Sequence, residues 1–262
     1  MKITVLASGS KGNAAVVETE HTKILIDIGL SYKQLKIKLK EKNIEVEELD
    51  ALLITHEHAD HTKGMATFSK RHQIPVYTTK GTHEAIDSSR TIFMHHENKQ
   101  ILNYYDKTEI NDVSIQSIPI SHDASEPTGF IIKNYDKKVV YITDTGYVSE
   151  EVESRIKNAD AYILECNHDV ELLMMTNRPW HLKQRILSDE GHICNEDTFY
   201  VLERIRGENT KLIFLAHISD EANNRDLLKM MKDDFINRCD LSENDISIVI
   251  TEQHKATEIY EI

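Results

Sequence analysis

The sequence predicts an α+β protein in which two mixed β-sheets pack face to face and helices cover them on the outside. Three observations point there. The first third is dense in short Val-, Ile- and Thr-rich runs separated by turn residues. The second half alternates similar runs with helical segments. No Pro/Gly-rich linker, low-complexity stretch or fixed-period repeat divides the two, so residues 1–262 are expected to form one domain.

The opening strands are expected at 3–7, 14–19 and 23–28, with Gly9, Gly12, Asn13 and Gly29 at the turns. Ser31 is placed to cap a helix reaching about Lys42, with Leu35 and Leu39 one turn apart on its inner face. The run 49–55 (LDALLIT) reads as a buried strand, and a helix is expected from Asp60 to His72. Strands follow at 76–79, 101–105, 113–118, 130–133 and 138–143. The second half adds strands at 161–165, 211–216 and 246–250, and helices at 150–157, 196–206 and 222–237.

Hydrophobic residues make up 40% and charged residues 29%, the composition of an ordinary globular chain. No apolar run is long enough to span a membrane, and the start, MKITVLASGSKGN, lacks a signal-peptide layout. Cys166, Cys194 and Cys239 are odd in number and widely spaced, which argues against a disulfide framework. A cytoplasmic protein without a membrane partner is expected. The net charge of −13 argues against a nonspecific DNA-coating protein, which would normally be basic. Bound divalent cations would offset part of that charge locally, so a nucleic-acid enzyme stays open.

The informative excess is histidine, at 14 residues. His56-Glu57-His58-Ala59-Asp60-His61 directly follows a buried-type strand. His56 and His58 are two apart, so an extended segment sends both to the same side. Asp60 and His61 sit at the turn into a helix and can serve a neighbouring position. Two nitrogens for one metal, and an oxygen plus a nitrogen for the next, are what a dinuclear site needs. Such mixed imidazole and carboxylate ligands suit Zn, Mn or Fe. The loop Ser8-Gly9-Ser10-Lys11-Gly12-Asn13 either offers backbone N–H groups to a phosphate or is simply a tight turn. Asp27 either fixes a ligand imidazole from behind or caps a helix. Five lysines between Lys33 and Lys42 either track a DNA backbone or form a solvated helix face.

The four-ligand spacing resembles the signature of the metallo-β-lactamase superfamily, and the resemblance extends along nearly the whole chain. It implies the αββα four-layer sandwich of that fold and two divalent metal ions. It also implies His122 (in PISHD) as third ligand of the first metal, Asp144 (in YITDTG) as bridging carboxylate, and His217 (in LAHIS) as last ligand of the second. Glu165, and His192 in Gly191-His192-Ile193-Cys194, resemble the Glu and His of two RNase Z motifs. The resemblance makes His192 the proton donor to the leaving group and Glu165 its orienter, with Asp60 also in the catalytic set. Cys166-Asn167 and Ile193-Cys194 depart from those motifs. The segments ASGSKGN, LECNHD, WHLKQRI and HISDEANN are similar to the YycJ/WalJ (VicX) group, 5′ to 3′ exonucleases on double-stranded DNA linked to DNA repair. By that likeness DNA is the expected substrate, and Ser10, Asn13, Arg185, Asn223 and Asn224 are candidate substrate contacts. Two other classes share these features: a hydrolase of a small phosphodiester, lactone or thioester, and a noncatalytic metal-binding regulator.

Overall fold

The computed structural model describes residues 1–88, 98–242 and 244–262. His95 and His96, for which spacing assigns no role, lie outside the described residues. Strands β1 (Lys2–Ala7), β2 (Ala14–Glu18) and β3 (Lys23–Ile26) form an antiparallel meander. Helix α1 (Tyr32–Glu41) then leads to β4 (Ala51–Leu53). Helices α2 (Ala59–Thr62) and α3 (Met65–Arg71) precede β5 (Val76–Thr79), and α4 (Lys80–Ser88) precedes β6 (Lys99–Leu102). From β3 to β6 neighbouring strands are parallel.

The second sheet repeats that plan. Strands β7 (Lys107–Ile110), β8 (Val113–Pro119), β9 (Thr128–Asn134) and β10 (Lys137–Ile142) are antiparallel neighbours. Then α5 (Glu150–Ile156), β11 (Ala161–Glu165), α6 (Val170–Met175), α7 (Trp180–Ile186), α8 (Asn195–Ile205), β12 (Leu212–Ala216), α9 (Arg225–Arg238) and β13 (Ser247–Ile250) follow, with β10 to β13 parallel. The last strand, β14 (Tyr260–Glu261), crosses back to pair with β1.

Alternation along the strands builds the layers. Ile24 and Ile26 of β3 face the space between the sheets, where they join Ile115, Phe130, Ile132, Val139 and Phe214. Leu25 faces outward and packs with Leu35, Leu39, Phe68 and Ile86 of the helices. On the far side Val140, Ile142, Tyr162 and Leu164 pack against Val152, Phe199 and Phe235. The result is the expected αββα sandwich.

Two differences from the sequence expectation concern the site. The expected helix from Asp60 to His72 is two helices, because a Cβ on Gly64 would lie 2.6 Å from the Leu30 carbonyl oxygen and 2.8 Å from Ile28. The chain breaks there to let the β3–α1 loop pass. The strand expected at 49–55 pairs only over Ala51–Leu53, which frees Thr55 and His56 to leave the sheet.

Candidate metal centre

Strand ends at one edge of the sandwich build a cleft of about 190 Å³. Asp27 follows β3, the segment 56–61 follows β4, and His122 follows β8. Asp144 follows β10, Glu165 ends β11, and His217 follows β12. Parallel strands point their C-termini the same way, so residues distant in sequence converge. Asp27, Asp144 and His217 leave their strands at φ of 59°, 58° and 50°. Left-handed backbone at non-glycine residues costs about 1–3 kcal/mol each and persists where surrounding contacts enforce it.

Two groups of potential ligands form. Ligand atoms of His56, His58 and His122 lie within 4.8 Å of one another, as do those of Asp60, His61, Asp144 and His217. His58 Nδ1 and His122 Nε2 face each other at 3.3 Å. His61 Nε2 lies 3.0 Å from Asp144 Oδ2, and His217 Nε2 lies 3.6 Å from Asp60 Oδ2. The Nε2 atoms of His56 and His217 are buried without a hydrogen-bond partner. Leaving a buried polar atom unpaired costs roughly 1–3 kcal/mol. Converging orphaned imidazoles beside carboxylates are a donor set that fits divalent transition-metal ions.

The atoms behind these rings fix which nitrogen faces the cleft. His61 Nδ1 is 2.8 Å from Asp27 Oδ2, His122 Nδ1 donates to the Gly191 carbonyl at 3.2 Å, and His56 Nδ1 sits 3.0 Å from Thr55 Oγ1. Asp27 is wholly buried and also accepts from the Thr55 amide and hydroxyl. Ser31 caps α1, so Asp27 serves the centre and not the helix. Potential ligand atoms of Asp144, Glu165, His192 and His217 also lie within 4.8 Å of one another, and Glu165 ties the two imidazoles together. Glu165 Oε1 takes His192 Nδ1 at 2.8 Å and His217 Nδ1 at 2.7 Å. Its Oε2 accepts from the Thr145 amide at 2.7 Å.

Electrostatics follow from this crowding. Burial pushes the His56 imidazole well down, and its histidine neighbours add to the effect, so the neutral ring is favoured. Burial alone would raise Asp144, but His217, His61 and His56 outweigh it and hold the carboxyl well below the usual range. Burial opposes the charged forms of His61 and His217 as well. Asp144 with Asp27 and Asp60 in one case, and Asp144 with Asp60 and Glu165 in the other, lift both well above the ordinary value. The carboxylates of the second group therefore attract positive charge strongly.

The other sequence candidates divide. Ser10 and Arg185 line the cleft. Asn13 is fully buried and bonded to Gly9, and its Nδ2 also lies 3.1 Å from His61 Nε2, the ring nitrogen turned to the second group, so it borders the centre from within without lining the cleft. Asn223 is committed to Asn195 and to the Cys166 and Asn167 carbonyls, and Asn224 caps α9. Neither lines the cleft. Sequence reasoning did not single out Asn167, which donates to Glu165 and to the His217 carbonyl, or Arg178, Leu182 and Ser219 in the cleft wall. Asn167, Leu182 and Ser219 lie in segments that carry the family likeness, but their spacing assigns them no role. Arg185 forks onto Asp123, Arg178 pairs with Glu221 and Lys11 with Asp220, so cations near the mouth are held by acids.

The fold and this centre define a β-lactamase superfamily domain, and a family model of that description matches residues 22–218. The chain is 39% identical to Exodeoxyribonuclease YycJ of Bacillus anthracis, covering 88% of this chain and 87% of the relative. It is 39% identical to Exodeoxyribonuclease WalJ of Streptococcus pneumoniae serotype 2, covering 100% and 98%. The chain therefore belongs to the YycJ/WalJ family of the superfamily. Among solved structures, the metallo-β-lactamase fold protein YhfI from Bacillus subtilis superposes with a TM-score of 0.73 at 16% identity, covering 98% and 99%. That likeness shows the fold alone. No helix among the described residues is long and apolar enough to cross a membrane.

Proposed function

We propose that this chain, as one domain over 1–262, is a metal-dependent phosphodiesterase. Its substrate is double-stranded DNA, digested from 5′ to 3′, in cytoplasmic DNA repair. The exodeoxyribonuclease relatives support the substrate, and one observation carries the chemistry. His192 stands outside both metal groups at the cleft wall, 15% exposed, yet shares one carboxylate oxygen with His217.

In this reading His56, His58 and His122 would hold one divalent cation, and Asp60, His61, Asp144 and His217 would hold a second. Zn, Mn or Fe fit the donor set. When bound, the cations supply Lewis acidity and neutralise charge on the phosphate oxygens. Glu165 anchors His192 Nδ1 and leaves Nε2 to give its proton to the departing oxygen. Thr145 and Asn167 hold Glu165 in turn. Arg185, and beside it Arg178 and Lys11, exchange their acidic partners for phosphate oxygens as the strand enters. Ser10 lines the same entrance. The cleft is too small for a whole duplex, so the scissile strand enters by its end.

The small cleft also suits a small phosphodiester, and a lactone or thioester hydrolase would use the same cations. A noncatalytic regulator would have no use for the Glu165–His192 pair. The test is turnover of duplex DNA, a nitrophenyl phosphodiester, a lactone and a thioester by metal-reconstituted protein, alongside elemental analysis. Preferential DNA hydrolysis with two metals per chain is expected, Asp60→Ala losing one. Turnover of only the lactone or thioester, or one metal unaffected by Asp60→Ala, contradicts the proposal.

A further inference from the structure

Of the five lysines between Lys33 and Lys42, two are committed elsewhere: Lys38 donates to the His254 carbonyl at 2.9 Å, and Lys42 reaches Glu258 at 3.7 Å. Lys33, Lys36 and Lys40 are exposed on α1, opposite the buried Leu35 and Leu39. At i, i+3 and i+7 they form one column. Helix α3 adds Lys70 and Arg71, with Arg71 stacked 5.2 Å from the Tyr32 ring centroid at the start of α1. Exposed Lys63 stands between α2 and α3. None of these six cations has an ion-pair partner among the described residues. By contrast Lys11, Arg178 and Arg185, near the cleft, are each paired.

The loop that leads into this facet runs beside the candidate metal centre. The Ile28 amide donates to the His61 carbonyl at 2.8 Å, and the Gly64 amide to the Ile28 carbonyl at 2.9 Å. The loop that starts α1 and the segment that carries the ligands therefore run side by side. From Lys33 to Lys40 the column is about 10 Å long at 1.5 Å per residue. One DNA strand presents a phosphate about every 3.4 Å along the axis, so the column spans about three. The chain as a whole carries −13. Repulsion between surface charges is largely screened beyond about 8–10 Å at physiological salt, so local cations decide what binds.

Resting on the nuclease reading, we propose that the α1–α3 facet is the duplex track, in which Lys33, Lys36 and Lys40 grip the phosphate backbone of DNA whose end lies in the cleft. Regularly spaced ammonium groups, with Ile37 the apolar residue among them, bind backbone charge and read no bases.

The test compares three metal-reconstituted proteins: wild type, the triple variant Lys33→Gln/Lys36→Gln/Lys40→Gln, and a control triple, Lys107→Gln/Lys133→Gln/Lys211→Gln, on the second sheet. At about 0.15 M salt the α1 triple should raise KM for duplex DNA about tenfold or more with kcat little changed. The slope of log KM against log salt should flatten by about 0.9 per lost phosphate contact. Hydrolysis of a nitrophenyl phosphodiester and metal content should match wild type in both triples. Equal behaviour of the two triples on duplex DNA overturns the track. If wild type cleaves no duplex, the nuclease reading fails and the facet is judged by binding of a 3′-labelled duplex. The track then survives only if wild type binds the duplex and the α1 triple does not.

Discussion

At the residue scale the decisive atom is Glu165 Oε1, shared by His192 and His217. The two imidazoles then fail differently. His192→Ala should keep both metals and slow DNA hydrolysis roughly 10²–10⁴-fold, the contribution of a positioned general acid. The loss should shrink on a nitrophenyl phosphodiester, whose leaving group departs as a stable anion. Glu165→Gln disturbs a ligand ring as well as the donor, so metal affinity should fall roughly 10–100-fold, as for other residues that orient ligands. Elemental analysis and paired rates check both, and metal loss in His192→Ala would make His192 a ligand. The convergence of the candidate ligands was legible because His-X-His-X-Asp-His has one economical use. Asn223 and Asn224 fall outside the cleft lining because an amide in a polar motif serves backbone and substrate equally well. Only burial shows which it serves.

A second residue prediction concerns His168, which is buried with neither ring nitrogen hydrogen-bonded. Burial lowers its imidazole from the ordinary 6.5 to about 4. Between those values the unfolded chain binds a proton that the folded chain refuses, so stability is full above about pH 6.5 and falls on acidification towards pH 4. The loss is at most about 3 kcal/mol. Denaturant melts of wild type and His168→Asn, both metal-free, should show the difference shrinking or reversing across that window. Parallel pH profiles would contradict it.

At the element scale β5 and β11 were easiest to read, since both are continuous runs bounded by turn residues, whereas β6 lies at Lys99–Leu102 and not at the expected 101–105. Helices α4, α6 and α7 escaped notice. Each is short and half exposed, and such a helix lacks the long apolar stripe that periodicity detects. The break between α2 and α3 was invisible for another reason: it answers a close backbone approach from a distant loop. The same crossing demands Gly29, where a Cβ would fall 1.6 Å from the Asp60 carbonyl oxygen. Gly29→Ala should therefore displace the Asp60–His61 segment, cost about 1–3 kcal/mol or more, and weaken the second metal group before the first. Thermal melts and metal titration check this, and an unchanged melt with full metal retention contradicts it.

At the scale of the whole molecule, each sheet is an antiparallel meander followed by parallel strands, and the candidate ligands come from both. The first sheet supplies His56, His58, Asp60 and His61, and the second supplies His122, Asp144 and His217. Face-to-face packing of the sheets thus assembles the centre. The α+β class and sandwich were legible from run lengths and their order. The pairing of β14 with β1 was not, because two residues carry no period.

The most direct test of a metal-dependent 5′ to 3′ exonuclease is digestion of duplex DNA labelled at its 5′ or 3′ end by metal-reconstituted wild type and by Asp144→Asn. Wild type should release a 5′ label early and as the smallest products, shorten 3′-labelled strands progressively from the other end, and stop on chelation, while Asp144→Asn should be inactive. Digestion that is undiminished in Asp144→Asn, or labelled duplex left intact by fully loaded wild type, would contradict the account.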